Sequence, residues 1–441
     1  MRVIALSVLL GLLGCTGTAD TGSDGEVAAE LSSEERRTMG SYFLVEQADT
    51  VPNARMQALM ASGPPGGLCF WNPSHVGGIL ARSVILAYSR AAKNAGSPPP
   101  LFSVDYEGGA ISTAPSGRTV AGIQRYVSNM TSLAHPRWIG RAHRVDEALG
   151  KELAHLHGYL MARELRSIGI NYPLGTVSDL ANNMFVVRGL DTDSSRVATL
   201  IGEVVSGALS VDHMMFVTKH FPGLGLTVGD THDDIVVAPV YSAATAQSVL
   251  EPFRSAVNTS VRIGAEARLS VLASHAKFPS FDPDFNTTTS TKILGELLRD
   301  DIAFPGVVVS DAMWMGPYGR MSTAAVLRVY VQTFVAGMDI LMIPGTKYEA
   351  ALGYFRKLGD NQLDAAEQEL LAAQVGLPYN EVRAKFLTRT TQSRGRLDAA
   401  RAAIGYAHDN ADAEGSSPLS FTSVEHARYN AILHQLDARL P

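Results

Sequence analysis

The sequence predicts an α/β fold on a parallel sheet, as a TIM-type (β/α)8 barrel, regular or irregular, with a helical C-terminal tail. Three observations carry this. Short apolar runs recur along the chain, and they are continuous rather than alternating, as strands covered on both faces are. Amphipathic stretches of helical period lie between them, the pattern of βα units. Polar or Gly-rich sequence directly follows several of the runs, where a parallel barrel gathers its chemistry. An open doubly wound sheet would also place its site there, but no G-x-G-x-x-G follows a strand.

The elements justify this in chain order. Arg2 and the apolar run Val3 to Leu13 form a targeting segment too short to span a bilayer. It ends in Leu12-Leu13-Gly14-Cys15, which resembles a bacterial lipobox. Residues 1–15 are therefore expected to be a lipoprotein signal with lipidation at Cys15; the alternative is an ordinary signal peptide that contains a cysteine. Residues 16–30 read as a disordered polar tether. Thr16 instead of Asp points to a periplasm-facing envelope lipoprotein held in the outer rather than the inner membrane. Cys69, among Leu68, Phe70 and Trp71, reads as a buried strand thiol; a disulfide with Cys15 would be incompatible with lipidation.

The barrel is expected over residues 31–345. Its strands are read at Leu68–Trp71, Leu101–Val104, Ile170–Tyr172, Met214–Thr218, Ser270–Ala273, Val307–Ser310 and Ile340–Ile343, one short of the eight that closure needs. Val145–Ile168, Arg196–Leu209 and Ala325–Val335 read as helices. Residues 346–441 read as a helical extension with a polar break at Asp409–Ser417 and a last helix over Ser423–Leu436. A net charge of −6 with 46% hydrophobic residues suits a soluble globular chain with a large core. The absence of a Lys/Arg block argues against nucleic acid as a partner.

The stretch Thr218–Asp234 concentrates chemistry. Lys219 and His220 end an apolar run, and Phe221-Pro222-Gly223 is expected to stop it. A loop spaced by Gly225 and Gly229 then carries Asp230 and His232. A carboxylate beside an imidazole suits a general acid or base, although an isolated D-x-H is more often two solvated loop residues. Asp311 follows Val307–Ser310 directly, as a strand-end cap or a functional carboxylate in the barrel mouth. Behind it, Trp314 could stack on a sugar ring, while Met313 and Met315 suit core packing. Asp105 and Glu107 precede Gly108-Gly109; Asp105 could accept from ligand hydroxyls, and Glu107 could tie the barrel together. His213, His220, His232, Asp230, Asp233 and Asp234 could ligate a metal, but they show no recognised zinc or iron spacing. No metal and no cofactor are expected.

Together these segments resemble glycoside hydrolase family 3, and within it the single-domain β-N-acetylhexosaminidases. Lys219–Asp234 is similar to KHFPGHG-x-x-x-x-DSHxD, and Val104–Gly109 to DQEGG. Gly169–Asp179 is similar to GIN-x-x-x-x-P-V-x-D, and Val309–Met313 to the SD-x-L/M segment of the nucleophile. Pro65–Leu68 and Gly337–Met342 resemble the first-strand PGG motif and the late G-x-D-x-L-M. The resemblance implies a retaining glycosidase for terminal β-linked N-acetylhexosamine in peptidoglycan fragments or chitooligosaccharides. It implies Asp311 as nucleophile, His232 as acid/base oriented by Asp230, and Asp105, Lys219, His220 and Arg188 on the substrate. A monomer with a carbohydrate substrate and a membrane contact through its lipid is expected. A family 3 glycosidase of other specificity, such as a β-glucosidase, and a non-catalytic carbohydrate-binding lipoprotein are the rivals. The departures at Leu224, Ala110, Tyr106 and Ala312 are expected to alter the pocket wall.

Overall fold

A computed structural model describes residues 30–46, 54–70, 79–108, 133–405 and 424–437. Cys15, the tether before Glu30, Trp71, Gly109, Ala110 and the Asp409–Ser417 break lie outside them. The described strands are β1 (Phe43–Glu46), β2 (Gly67–Cys69), β3 (Leu101–Asp105), β4 (Tyr172–Leu174), β5 (Phe216–Phe221), β6 (Leu269–Ala273), β7 (Val307–Ser310) and β8 (Leu341–Ile343). They run as a five-stranded sheet, β4-β3-β2-β1-β8, and a three-stranded sheet, β5-β6-β7, all parallel.

Two seams join the sheets into a barrel. Val177 bridges Lys219 beyond the end of β4, where the Ser178 amide donates to the Lys219 carbonyl at 2.6 Å. Ile340 bridges Val309, and the Ser310 amide donates to its carbonyl at 2.9 Å. The strand missing from the sequence reading is β1. Its four residues end in Glu46 and follow a 3-10 turn over Met39–Tyr42, so its apolar run is too brief to stand out. Phe43 pairs with Leu341 and Leu44 with Gly67, which closes the circle. Gly67 is needed there, because a Cβ would sit 2.2 Å from the Leu101 carbonyl oxygen.

Other boundaries shift by a residue or more. Ile170–Tyr172 becomes Tyr172–Leu174, and Met214–Thr218 becomes Phe216–Phe221, so the strand runs on to Phe221 and the expected break comes only at Pro222-Gly223. The peptide bonds Lys219–His220 and Phe221–Pro222 are both cis. On the strands, Val217 sits on the interior face beside Ser270, while Phe102, Val271, Val308 and Leu341 lie on the face covered by helices, and all are fully or almost fully buried. The polar atoms that enter this core are paired, as burial requires. Tyr172 Oη lies 2.7 Å from Ser270 Oγ, Ser270 donates to the Val307 carbonyl at 2.7 Å, and Ser310 Oγ accepts from the Met342 amide at 2.9 Å.

Helices cover the outside, with starts set by side-chain caps. Asp146 accepts from the Leu149 amide ahead of Glu147–Ser167, Asp193 caps Ser194–Leu209, and Ser242 caps Ala243–Arg262. The Tyr348–Gly359 helix lays Tyr348 and Phe355 on Phe43, with ring centroids 5.8 and 4.9 Å away, so the barrel wall continues past residue 345. Asp339, just before β8, accepts from Arg299, Arg389, Arg396, Ser393 and the Val308 amide. Burial alone would raise its carboxyl, but the three guanidinium groups hold it far below the usual carboxylate range. This cluster ties the Tyr379–Ile404 helix to the N-terminal end of the barrel.

Candidate active site

The site lies at the C-terminal strand ends and starts with a chain of alternating charges. Lys219, near the end of β5, donates to Asp105 at the end of β3 at 2.6 Å and reaches Glu107 at 2.9 Å. Glu107 accepts a two-pronged bond from Arg188, at 2.8 Å from Nε and 2.7 Å from Nη2. The side chains of Lys219 and Glu107 are each only 3% exposed, while Asp105 is 30% exposed and meets solvent. Burial opposes ionisation of Glu107, but Arg188 and Lys219 outweigh it and keep the carboxylate charged. Burial likewise opposes the Lys219 charge, and Asp105 and Glu107 hold its ammonium above the ordinary lysine range. The sequence reading of Glu107 as a tie is thus given a physical basis, with Lys219 and Arg188 as its partners. Arg188 also lies over the Phe185 ring at 5.0 Å.

His220 is fixed from below. Asp179, buried just past β4, accepts from His220 Nδ1 at 2.7 Å, from the His220 amide at 3.1 Å, and from the Leu224 amide. The imidazole therefore presents Nε2, which has no partner among the described residues. In the sequence Asp179 stands only as the last residue of the Gly169–Asp179 motif; its role as a clamp depends on contact between β4 and β5 segments that spacing does not display. The Leu224 side chain is 2% exposed and packs in the core, as do Ala312 and Met313. Trp314 is half-buried against the same core.

Asp311 follows β7 and is 9% exposed. The Ala312 amide holds Oδ1 at 2.8 Å, and Oδ2 has no hydrogen-bond partner among the described residues. Burial would raise its carboxyl; His275, His220, the Ala312 amide and Lys219 together lower it, so the group is an anion. His275, the second residue after β6, is buried. Its Nε2 lies 3.1 Å from the Ala312 carbonyl and Nδ1 2.8 Å from Thr288 Oγ1. Nε2 must carry a proton to face a carbonyl, and burial pushes the ring toward its neutral form.

The loop pair faces the same mouth. Asp230 Oδ1 lies 2.7 Å from His232 Nδ1 and accepts the His232 amide at 2.9 Å. That contact leaves Nε2 of a half-exposed ring available. Gly316, just past Asp311, donates its amide to the His232 carbonyl at 2.9 Å, and Arg320 donates to the Asp233 carbonyl at 2.9 Å. The loop is thereby folded onto the segment after β7. Among the described residues, no three His, Cys, Asp or Glu side chains are grouped to hold a metal ion.

A last connection comes from the chain's far end. Tyr429, on the Val424–Asp437 helix, accepts from the Ala134 amide at 2.9 Å and lies 3.3 Å from His157 Nδ1. His157 Nε2 lies 3.2 Å from the Glu107 carbonyl. Burial pushes this imidazole down to about 4, so it is neutral. Gly108 has φ +84°, and a Cβ there would meet the His157 ring at 2.3 Å. No sequence pattern signals this contact.

The profile of the glycosyl hydrolase family 3 N-terminal domain matches residues 72–374, more than half of the chain. The chain belongs to glycosyl hydrolase family 3. A protein of Nitrosomonas eutropha named β-hexosaminidase is 29% identical over 253 residues, covering 56% of this chain and 65% of its own length. One of Thiobacillus denitrificans with the same name is 27% identical over 326 residues, 73% of this chain and 83% of its own. The chain thus spans just under two thirds of the Nitrosomonas relative. Among solved structures, a family 3 β-N-acetylglucosaminidase from Paenibacillus superposes with a TM-score of 0.68 at 21% identity, covering 91% of this chain and 68% of its own. NagZ from Neisseria gonorrhoeae gives 0.58 at 22%, over 82% and 97%. These two likenesses bear on the fold, which is the barrel expected from the sequence.

Proposed function

We propose that this family 3 chain is a retaining glycosidase that removes terminal β-linked N-acetylhexosamine, from peptidoglycan fragments or chitooligosaccharides. The observation that carries the reading is the seating of the Asp230–His232 loop on the segment after Asp311, through the Gly316 amide. It brings an oriented imidazole and an anionic carboxylate to one mouth. In the first step, an Asp311 oxygen attacks the anomeric carbon and the bond to the leaving oxygen breaks. His232 Nε2 gives that oxygen its proton. In the second step, water gives a proton back to His232 and its oxygen displaces Asp311, which restores both groups. Retaining carboxyl pairs lie roughly 5–5.5 Å apart; with an imidazole on a loop, the spacing can be completed by closure on substrate. Asp105, Lys219, His220 and Arg188 hold the sugar hydroxyls.

The N-terminal reading stays part of the proposal: a lipid on Cys15 that anchors the enzyme in the cell envelope, outer membrane preferred, acting as a monomer. Loss of radiolabelled-fatty-acid incorporation in Cys15→Ala tests the anchor. The activity is tested by aryl glycoside hydrolysis. Faster turnover of the β-N-acetylglucosaminide than of the β-glucoside is expected, and the reverse order would refute the sugar assignment.

A further inference from the structure

A cavity opens at the other end of the barrel from Asp311. Its wall includes Thr38, Ser41 and Tyr42, which lead into β1, and Gly96–Pro98, which lead toward β3. The Tyr379–Ile404 helix closes it with Arg394, Leu397, Asp398 and Arg401. The volume is about 290 Å³, at the lower edge of ligand pockets of roughly 300–1,000 Å³. Parallel strands place this face opposite Asp311.

Two buried polar atoms in the wall make no hydrogen bond. Arg401 Nε is buried and makes no hydrogen bond, and the Asp398 carboxylate stands as far as 3.9 Å from its Nη1. The Arg401 side chain is 10% exposed. Ser97, 6% exposed, has an unpartnered buried hydroxyl. A buried donor without a hydrogen bond is costly. Two further guanidinium groups line the space. Arg394 donates to Thr38 at 2.8 Å, and Arg37 to the Gly96 carbonyl at 3.1 Å. The balancing carboxylates are weakly engaged: Glu34 is 3.6 Å from Arg394 and 67% exposed, and Asp398 is 59% exposed.

We propose that this cavity binds a phosphoryl group, as inorganic phosphate or as a small phosphomonoester. Three guanidinium groups with planar donor forks match a tetrahedral oxyanion. Ser97 supplies a hydroxyl donor on another wall. The bound group would join the segment before β1, the segment before β3 and the C-terminal helix. Binding to the folded state alone then raises the melting temperature. The site is independent of the glycosidase chemistry.

The test is thermal melting of the full chain in phosphate, in glycerol 2-phosphate, and in chloride at matched ionic strength. At a hundredfold excess over Kd, the shift for a chain of this size is about 3 °C. Arg401→Met should abolish the response, and Ser97→Ala should weaken affinity about tenfold. Both should keep kcat/KM for the aryl glycoside within about twofold. A response to phosphate but not the ester identifies the free ion as the ligand, and an equal or larger response to the ester identifies a phosphomonoester. No phosphate-specific shift in the wild type would overturn the proposal, as would an undiminished shift in Ser97→Ala, the variant that decides if Arg401→Met does not fold.

Discussion

Glutamine at position 107 would keep the shape of the side chain and remove its charge. Glu107 is 3% exposed and neutralises two cations, Arg188 through two bonds and Lys219 at 2.9 Å. Its loss leaves Lys219 and Arg188 buried with one fewer counter-charge. Breaking a buried ion pair from one side costs about 3–5 kcal/mol. Unfolding entropy of about 2.1 cal/mol/K per residue makes about 0.9 kcal/mol/K for this chain, so the melting temperature should fall by about 3–5 °C at pH 7. The sign of the pH dependence follows from the depressed folded-state pKa of Glu107. The stabilisation is fully present above the unfolded carboxyl value of about 4.3 and is lost as pH falls through it and below. The gap between wild type and Glu107→Gln should therefore narrow between about pH 5 and pH 3. Activity should fall at least about tenfold, because Lys219 and Arg188 lose their fixed positions. Thermal melts across that range with kcat/KM at pH 7 provide the assay. A variant that melts with the wild type at pH 7 would refute the assignment of Glu107 as the tie of the site.

Other variants probe separate parts. Asp311→Asn should lower kcat by at least about a thousandfold with the fold intact by circular dichroism; near-normal turnover would remove the covalent step. His232→Gln should cost about 10²–10⁴ in kcat/KM on a poor leaving group and much less on a dinitrophenyl glycoside, and an equal loss on both would argue against acid catalysis. Tyr429→Phe removes a hydroxyl that touches His157 and Ala134 and should lower stability by about 1–2 kcal/mol in denaturant titration. His157 is held at about 4 when folded against an ordinary 6.5. The unfolded chain binds that proton more readily, so stability present above about pH 6.5 is lost as pH falls toward 4. His157→Gln should flatten that part of the profile, and an unchanged slope would contradict it.

What could be read from the residues, and what could not, divides along physical lines. The strands β3, β6 and β7 stood out because Val and Leu runs covered on both faces leave a continuous apolar signal. The strand β1 did not, since four residues ending in a glutamate carry too little of it. Lys219, His220, Asp230, His232 and Asp311 were visible as polar residues at strand ends and on a Gly-spaced loop. Their supports were not. Asp179 acts through a contact across the β4–β5 seam, and Tyr429 through a helix more than three hundred residues from Glu107. Leu224 drew attention as a change of residue type, but only burial shows that its side chain faces the core while its amide serves Asp179.

Covalent trapping tests the central claim most directly. The protein would be incubated with a 2-fluoro or 5-fluoro glycoside, digested with trypsin and sequenced by mass spectrometry. Asp311 falls in the peptide 300–320, which also carries Asp300 and Asp301, so fragmentation must locate the added mass. The account predicts a fluoroglycosyl ester on Asp311. A label on any other residue, or full inactivation without a covalent adduct, would contradict it.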